Sequence, residues 1–269
     1  MRQITDIDEL RHIQLDILSF VDRICRDNGI IYSLAGGSML GAVRHKGYIP
    51  WDDDIDIFMP RKDYELFIGL MKKLSHPYYR ILTTYDTPGF CQPYANISDD
   101  RTIVEEPGIG NEAKEGVNID IFPVDFVPED EYVQKKIVGK ILLLRNLFII
   151  KGLKWDSRRG LLKNLLAFIC QILTFPISRK WLSVKMDSIS SRAESNYSKK
   201  SAVLVWGNGI KIMNTYIYEN YQDWPFENNV FRGVVDYSSY LSSLYGNWRA
   251  LPPKDKQVSH HKFTAYWKD

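Results

Sequence analysis

The chain reads as an α+β protein, a mixed sheet with helices packed on it and a basic, apolar helical region inserted beside that core. Three features of the sequence predict this. Short β-branched runs alternate with amphipathic helical stretches through the first half. Two of the runs, Asp54-Ile55-Asp56-Ile57 and Ile119-Asp120-Ile121, set acids between isoleucines. After Asp130 the composition shifts to leucine, isoleucine and phenylalanine interspersed with lysine and arginine.

From Asp8 to Asn28, Leu10, Ile13, Ile17, Phe20, Val21 and Ile24 recur at helical spacing. Thr5 and Asp8 form a capping pair in this reading, and Gly29 ends the helix. Ile30 to Ala35 is β-branched at its start and closed by Gly36-Gly37, which predicts a buried strand and a turn. Ser38 to Arg44 then makes one or two helical turns, and His45 to Pro50 a loop. Asp54 to Met59 alternates polar and apolar residues at period two before Pro60, so Asp54 and Asp56 point to one side of a strand. Arg61 to Leu74 is helical by its apolar spacing. Arg80 to Thr84, Tyr94 to Ser98, Thr102 to Glu105 and Val117 to Phe122 follow as strands.

Between Lys135 and Lys185 lie twelve basic residues against one acid, Asp156. This stretch reads as two or three basic, apolar helices, followed by a polar helix reaching about Tyr197. A helix over Tyr237–Tyr245 and a tail from Pro252 fold back on the core. The division expected is therefore a catalytic core over 1–130, a helical insert over 131–200, and a C-terminal region over 201–269 that completes the core and the acceptor site.

At 269 residues, with 45% apolar and 25% charged residues, the chain buries a sizeable core, which excludes a disordered protein. A formal charge of +2 gives no reason to expect a nucleic-acid partner. Cys25, Cys91 and Cys170 form no C-x-x-C pair, so neither a disulfide framework nor a zinc ribbon is expected. The acidic start has no secretory-leader pattern. The longest apolar run, Leu165 to Ile177, is broken by Gln171, Thr174 and Pro176 and falls short of the ~20 residues that span a bilayer.

The chemistry expected follows from the acids. Phosphoryl and nucleotidyl transfer need in-line positioning and neutralisation of charge on phosphate oxygens, commonly by magnesium, which prefers carboxylate ligands. Two aspartates on one strand face, their side chains starting roughly 6.5–7 Å apart, can hold one ion or straddle two. Gly36-Gly37-Ser38 at a helix start offers backbone N–H groups and a hydroxyl to donor phosphates. Asp120 brings a third carboxylate, as metal ligand or as base for an acceptor hydroxyl.

The run from Gly36-Gly37-Ser38 through Arg44-His45-Lys46-Gly47-Tyr48-Ile49-Pro50-Trp51-Asp52-Asp53-Asp54-Ile55-Asp56-Ile57 resembles the signature of the LicD phosphocholine transferase family, related to fukutin and fukutin-related protein. Further matches are Ile119 to Asp125, Tyr240-Leu241 through Leu244-Tyr245-Gly246, Pro252-Pro253 and Ser259-His260-His261. The resemblance implies a nucleotidyltransferase-like fold and a CDP-alcohol donor, CDP-choline, whose phosphocholine passes to a sugar hydroxyl with release of CMP. It implies Mg2+ or Mn2+ at Asp54, Asp56 and Asp120, the expected catalytic and metal-binding residues. Gly36, Gly37, Ser38, Arg44, Trp51 and His260 are the expected substrate-binding residues.

Trp51 is a candidate to stack on cytosine or on the choline ammonium, with core packing as the alternative; Trp206, Trp224 and Tyr218 are looser candidates for the same cage. The implied acceptor is a lipid-linked or surface glycan precursor of teichoic acid or lipopolysaccharide type. The insert suits peripheral contact with an anionic membrane, which places the protein on the cytoplasmic, inner face of the plasma membrane. Transfer of ribitol or glycerol phosphate, transfer of a nucleotide, and a non-catalytic glycan-binding scaffold are the alternatives.

Overall fold

A computed structural model describes residues 1–105, 112–155, 160–259 and 263–268, with residue 208 described by its backbone alone. After a short strand β1 (Arg2–Ile4), helix α1 (Ile7–Asp27) buries Leu10, Ile13, Ile17, Leu18 and Val21, one face of its amphipathic pattern. Its N-cap is Asp6, whose carboxylate accepts the Asp8 N–H at 2.9 Å, and not the Thr5 and Asp8 pair expected from spacing. Gly29, at φ +65°, turns the chain out of the helix.

Only Ser33–Leu34 of the expected Ile30–Ala35 strand joins a ladder, as β2. Gly36-Gly37 is the first turn of helix α2 (Gly36–Arg44) rather than a separate turn. Gly41 allows α2 to lie against the returning loop, since a Cβ there would stand 2.3 Å from the Gly47 carbonyl oxygen. Strand β3 (Asp56–Pro60) runs directly into helix α3 (Arg61–Lys73), with Pro60 as the N-cap. Asp54 therefore sits just ahead of the ladder, two residues before Asp56.

Strands β4 (Tyr79–Leu82), β5 (Ala95–Asp99), β6 (Thr102–Glu105) and β7 (Asn118–Val127) follow. In the described residues the main sheet has the order β2-β3-β7-β5-β4. Strands β3 and β7 are parallel and the other pairs on this path antiparallel, so the sheet is mixed, as expected. The registers set Asp56 opposite Asp120 and Asp120 opposite Asn96. Residues opposite one another in a ladder share a face, which brings the two acids together.

Helices α4 (Glu131–Gly152), α5 (Leu161–Leu173) and α6 (Arg179–Ser190) come next; α6 ends seven residues short of the expected Tyr197. Val127, Ile141, Phe148, Leu182, Met186, Ala202 and Leu204 make a second apolar cluster under α4 and α6, beside the main core. Arg61 ties α6 to the sheet. Its guanidinium binds Asp125 of β7 through Nε at 2.6 Å and Nη2 at 2.7 Å, and Asp187 of α6 through Nη1 at 2.9 Å. Tyr85 donates its hydroxyl to the same Asp187 at 2.6 Å.

Strands β8 (Lys200–Ala202) and β9 (Met213–Asn214) extend the far end of β7. The hairpin β10 (Tyr221–Phe226) and β11 (Asn229–Val234) turns at Glu227, whose carboxylate accepts the Tyr48 N–H at 2.9 Å and so holds the loop after α2. Helix α7 (Tyr237–Tyr245), capped by Asp236, packs on α2. Strand β12 (Thr264–Trp267) lies between β1 and β6 and brings the C-terminal segment beside the N-terminal one. Among the described residues no helix is long and apolar enough to cross a membrane.

Candidate active site

The acids gather where α2, the Asp52-Asp53-Asp54 segment and the start of β3 meet. Carboxylate oxygens of Asp52, Asp53 and Asp54 lie within 4.8 Å of one another. Asp56 adjoins them from the strand, and Asp120 faces Asp56 across the ladder. Burial first, then the like charges of Asp54, Asp120 and Asp52, push the Asp56 carboxyl well above the usual carboxylate range. Hard oxygen donors this close repel one another unless a cation lies among them. The donor set therefore fits a divalent metal such as magnesium.

Local contacts hold the acids in place. The Ser38 hydroxyl accepts the Asp56 N–H at 2.9 Å, and the Ala35 N–H donates to the Asp56 carbonyl at 2.9 Å, so the start of α2 grips the start of β3. The Asp120 N–H donates to the Ile55 carbonyl at 3.1 Å. Gln14 of α1 donates to the Asp53 carbonyl at 2.9 Å, Arg11 to the Asp52 carbonyl at 2.7 Å, and Ser259 to the Asp53 carboxylate at 2.7 Å.

Gly37 leaves room here for a carboxylate: a Cβ on it would stand 2.6 Å from an Asp52 carboxylate oxygen. That oxygen lies against the first turn of α2, whose N-cap, Ala35, supplies no side-chain cap, so helix N–H groups and an anion meet at this point. The Gly36 N–H donates to Tyr240 at 3.0 Å, and a Cβ on Gly36 would collide with the Trp206 ring at 2.5 Å. The Tyr245 hydroxyl lies on the same side, at the inner end of a side chain that is 45% exposed, and burial of that end with the charges of Asp56, Asp52 and Asp54 pushes it up.

On the other side of the acids opens a cavity of about 200 Å³ lined by Asp53, Asp54, Asp120, Gln14, Gln92, Tyr94, Asn96, Glu115 and Asn118, with Val104, Val117, Ile55 and Phe263. Tyr94 hydrogen-bonds Asp120, and burial with the charges of Asp120 and Asp56 raises its pKa well above the ordinary phenol value. Its ring meets Phe122 at 4.5 Å between centroids, and Phe122 stacks on Trp206 at 4.9 Å, so one aromatic column runs beside the acids from the cavity to Gly36.

The structure thus brings Asp54, Asp56, Asp120, Gly36, Gly37 and Ser38 to one place. Arg44 lies at the far end of α2, donating to the carbonyls of Trp248 at 2.8 Å and Ala250 at 3.4 Å and to His45 Nε2 at 2.9 Å. Trp51 packs against the main core with its ring edge-on to His45 at 6.4 Å, and it does not line the cavity. Tyr218 is buried against Phe58 and Tyr240, and Trp224 donates to the Val234 carbonyl at 3.3 Å. His260 lies outside the described residues. Sequence reasoning missed the polar lining at Gln14, Tyr94, Asn96, Glu115 and Asn118, and the hydroxyl of Tyr245. The one signal available was polar residues in runs otherwise apolar, as at Asn96 and Asn118.

A mixed α/β core with clustered carboxylates beside a polar cavity is an arrangement that suits a metal-assisted transferase of the nucleotidyltransferase type. A sequence-family model described as LicD/FKTN/FKRP, nucleotidyltransferase domain, matches residues 29–140, which contain Asp54, Asp56 and Asp120. Over 275 aligned residues, covering 99% of each chain, the protein is 26% identical to the lipopolysaccharide cholinephosphotransferase LicD of Haemophilus influenzae. Shorter stretches resemble uncharacterized proteins of Rickettsia typhi, 43% identical over 54 residues (20% of this chain, 18% of the other), and Rickettsia prowazekii, 53% over 36 (13% and 14%). The mixed sheet and its helices are consistent with a nucleotidyltransferase-like core, and residues 29–140 are similar to the LicD nucleotidyltransferase domain.

Proposed function

We propose that the protein transfers phosphocholine from CDP-choline to a sugar hydroxyl of a bacterial cell-surface glycan precursor, of teichoic acid or lipopolysaccharide type, and releases CMP. The observation that carries this reading is the likeness over 99% of both chains to a lipopolysaccharide cholinephosphotransferase. The acids beside a polar cavity supply the chemistry such a reaction needs.

In this proposal Asp54 and Asp56 hold Mg2+ or Mn2+, whose charge offsets that of the donor diphosphate. Backbone N–H groups of Gly37 and Ser38 receive phosphate oxygens at the start of α2, and Gly36 lets the Trp206 ring pack against that start. The acceptor hydroxyl oxygen forms a bond to the phosphorus bearing choline while the bond from that phosphorus to the CMP oxygen breaks. Asp120, oriented by Tyr94, takes the hydroxyl proton, and CMP leaves with the electron pair. Gln14, Asn96 and Asn118 offer the directional hydrogen bonds by which a sugar is held in the cavity. Arg44 supports the substrate site through the Trp248–Ala250 segment, and Trp51 through His45.

The nucleotidyltransferase description of residues 29–140 favours one rival, attack at the other phosphorus, which would leave a nucleotide on the acceptor. Mass spectrometry of a membrane-glycan extract incubated with CDP-choline, CDP-ribitol, CDP-glycerol or CDP-ethanolamine and Mg2+ separates them. Phosphocholine on the glycan with CMP in solution is the expected result. A cytidylylated glycan would replace the reading with nucleotide transfer, and modification by another CDP-alcohol alone would remove choline from it.

A further inference from the structure

Helix α5 is amphipathic in reverse. Its polar side chains turn toward the protein: Asn164 is buried, and Gln171 donates from Nε2 to the carbonyls of Ile150 at 2.7 Å and Leu153 at 2.8 Å at the end of α4. The Thr174 carbonyl beyond it accepts from Lys151 at 2.9 Å. Leu162, Leu165, Leu166, Ile169, Ile172 and Leu173 point outward and are exposed, Leu173 to 77%. Placed at 100° per residue, these six fall within one arc of about 120°, opposite Asn164 and Gln171. A helix that spends its polar face on the protein and offers its apolar face to water is stable in that orientation only when something apolar covers it.

The surroundings indicate the cover. Exposed aromatic rings stand at both ends of the helix, Trp155 before it at 65% and Phe175 after it at 83%. Lys154, Lys163 and Lys180 are exposed close by in the chain, within a segment that carries twelve cations and one anion between Lys135 and Lys185. Aromatic rings at the edges of an apolar helical face, bordered by lysines, match the boundary between acyl chains and anionic headgroups. A second copy of the chain fits the same face poorly, because pairing would bring two such cationic segments together.

We propose that α5 is a membrane-docking helix, lying in the plane of an anionic bilayer with Leu162, Leu165, Leu166, Ile169, Ile172 and Leu173 among the acyl chains. This deepens the reading of a lipid-linked acceptor but rests on α5 alone, so each can fail without the other. The test is co-sedimentation of the full chain with vesicles of phosphatidylglycerol and phosphatidylcholine, which contain neither glycan nor CDP-choline. Light scattering is run alongside, and wild type is compared with Leu166→Glu/Ile169→Glu. Wild type is expected to pellet with the anionic vesicles and at least tenfold less with phosphatidylcholine alone or in 1 M salt. The double variant is expected to lose at least tenfold of the binding with its melting temperature and its CMP release from a detergent-dispersed acceptor unchanged. Equal pelleting of the variant, no pelleting of wild type, or a wild-type dimer that the same substitutions dissociate would overturn the proposal.

Discussion

Asp56 is surrounded by its own kind. Burial acts on it first, and the charges of three other carboxylates add to that effect. Asparagine removes the ionisation that the fold opposes at this position, so in EDTA the Asp56→Asn protein should be more stable than wild type, by about 1 kcal/mol, in urea unfolding. A decrease would show that the acids are already neutralised by the chain itself. At Gly37 the expectation concerns space. A Gly37→Ala methyl would displace the Asp52 carboxylate 2.6 Å away, and if the proposed donor phosphate binds there, an ångström-scale shift costs about 100-fold in turnover. The kcat of Gly37→Ala should fall by that order while its melting temperature stays close to that of wild type.

His45 gives the pH dependence at the same scale. Burial first, then the Arg44 charge, lower its pKa, and its Nε2 lone pair is occupied by the Arg44 Nε–H. His76 is lowered in the same direction by burial, Arg23 and Arg101. A histidine whose folded pKa is depressed binds its proton more readily when unfolded. The stability it contributes is therefore complete above the unfolded value of about 6.5 and is lost as pH falls from there through the folded value. The melting temperature should drop between pH 7.5 and pH 5.5, and His45→Gln should narrow the drop; an unchanged drop would place its origin elsewhere.

At the scale of elements, the Arg61 fork joins α3, β7 and α6. Its partner Asp125 is 3% exposed, so Arg61→Ala leaves a buried carboxylate without its counter-charge and should cost about 3–5 kcal/mol. Arg61→Lys cannot reproduce two bonds to Asp125 and one to Asp187 and should recover only part of the loss, as read from urea midpoints. Such ties are invisible along the chain, because Arg61, Asp125 and Asp187 are spaced without period. The strands that carry Asp56 and Asp120 were legible for the opposite reason: an acid between isoleucines breaks an apolar run and marks itself. Thr102–Glu105 and Tyr237–Tyr245 fell where spacing put them. Ile30 and Ile31 stayed outside the ladder although β-branched, since β3 pairs only with Ser33 and Leu34. The cavity lining was not legible, because Gln14, Asn96, Glu115 and Asn118 come from four places and polar residues in strands have many ordinary uses.

Across the whole molecule, the C-terminal residues close the structure. Strand β12 bridges β1 and β6, Ser259 holds Asp53, and the Trp248 and Ala250 carbonyls hold Arg44. The segment around the acids and helix α2 is thus held by residues some 200 positions away, outside the stretch 29–140 that the family model matches. The second apolar cluster anchors α4 and α6 and leaves α5 outside it.

The central claim joins the acid group to phosphocholine transfer, and its most direct test is CMP release from CDP-choline with a membrane-glycan acceptor, titrated with Mg2+, for wild type and Asp56→Asn. CMP that rises with Mg2+ in wild type and falls at least 1,000-fold in the folded variant is the result predicted. Release that persists in Asp56→Asn, or that ignores Mg2+ and Mn2+ alike, would contradict it.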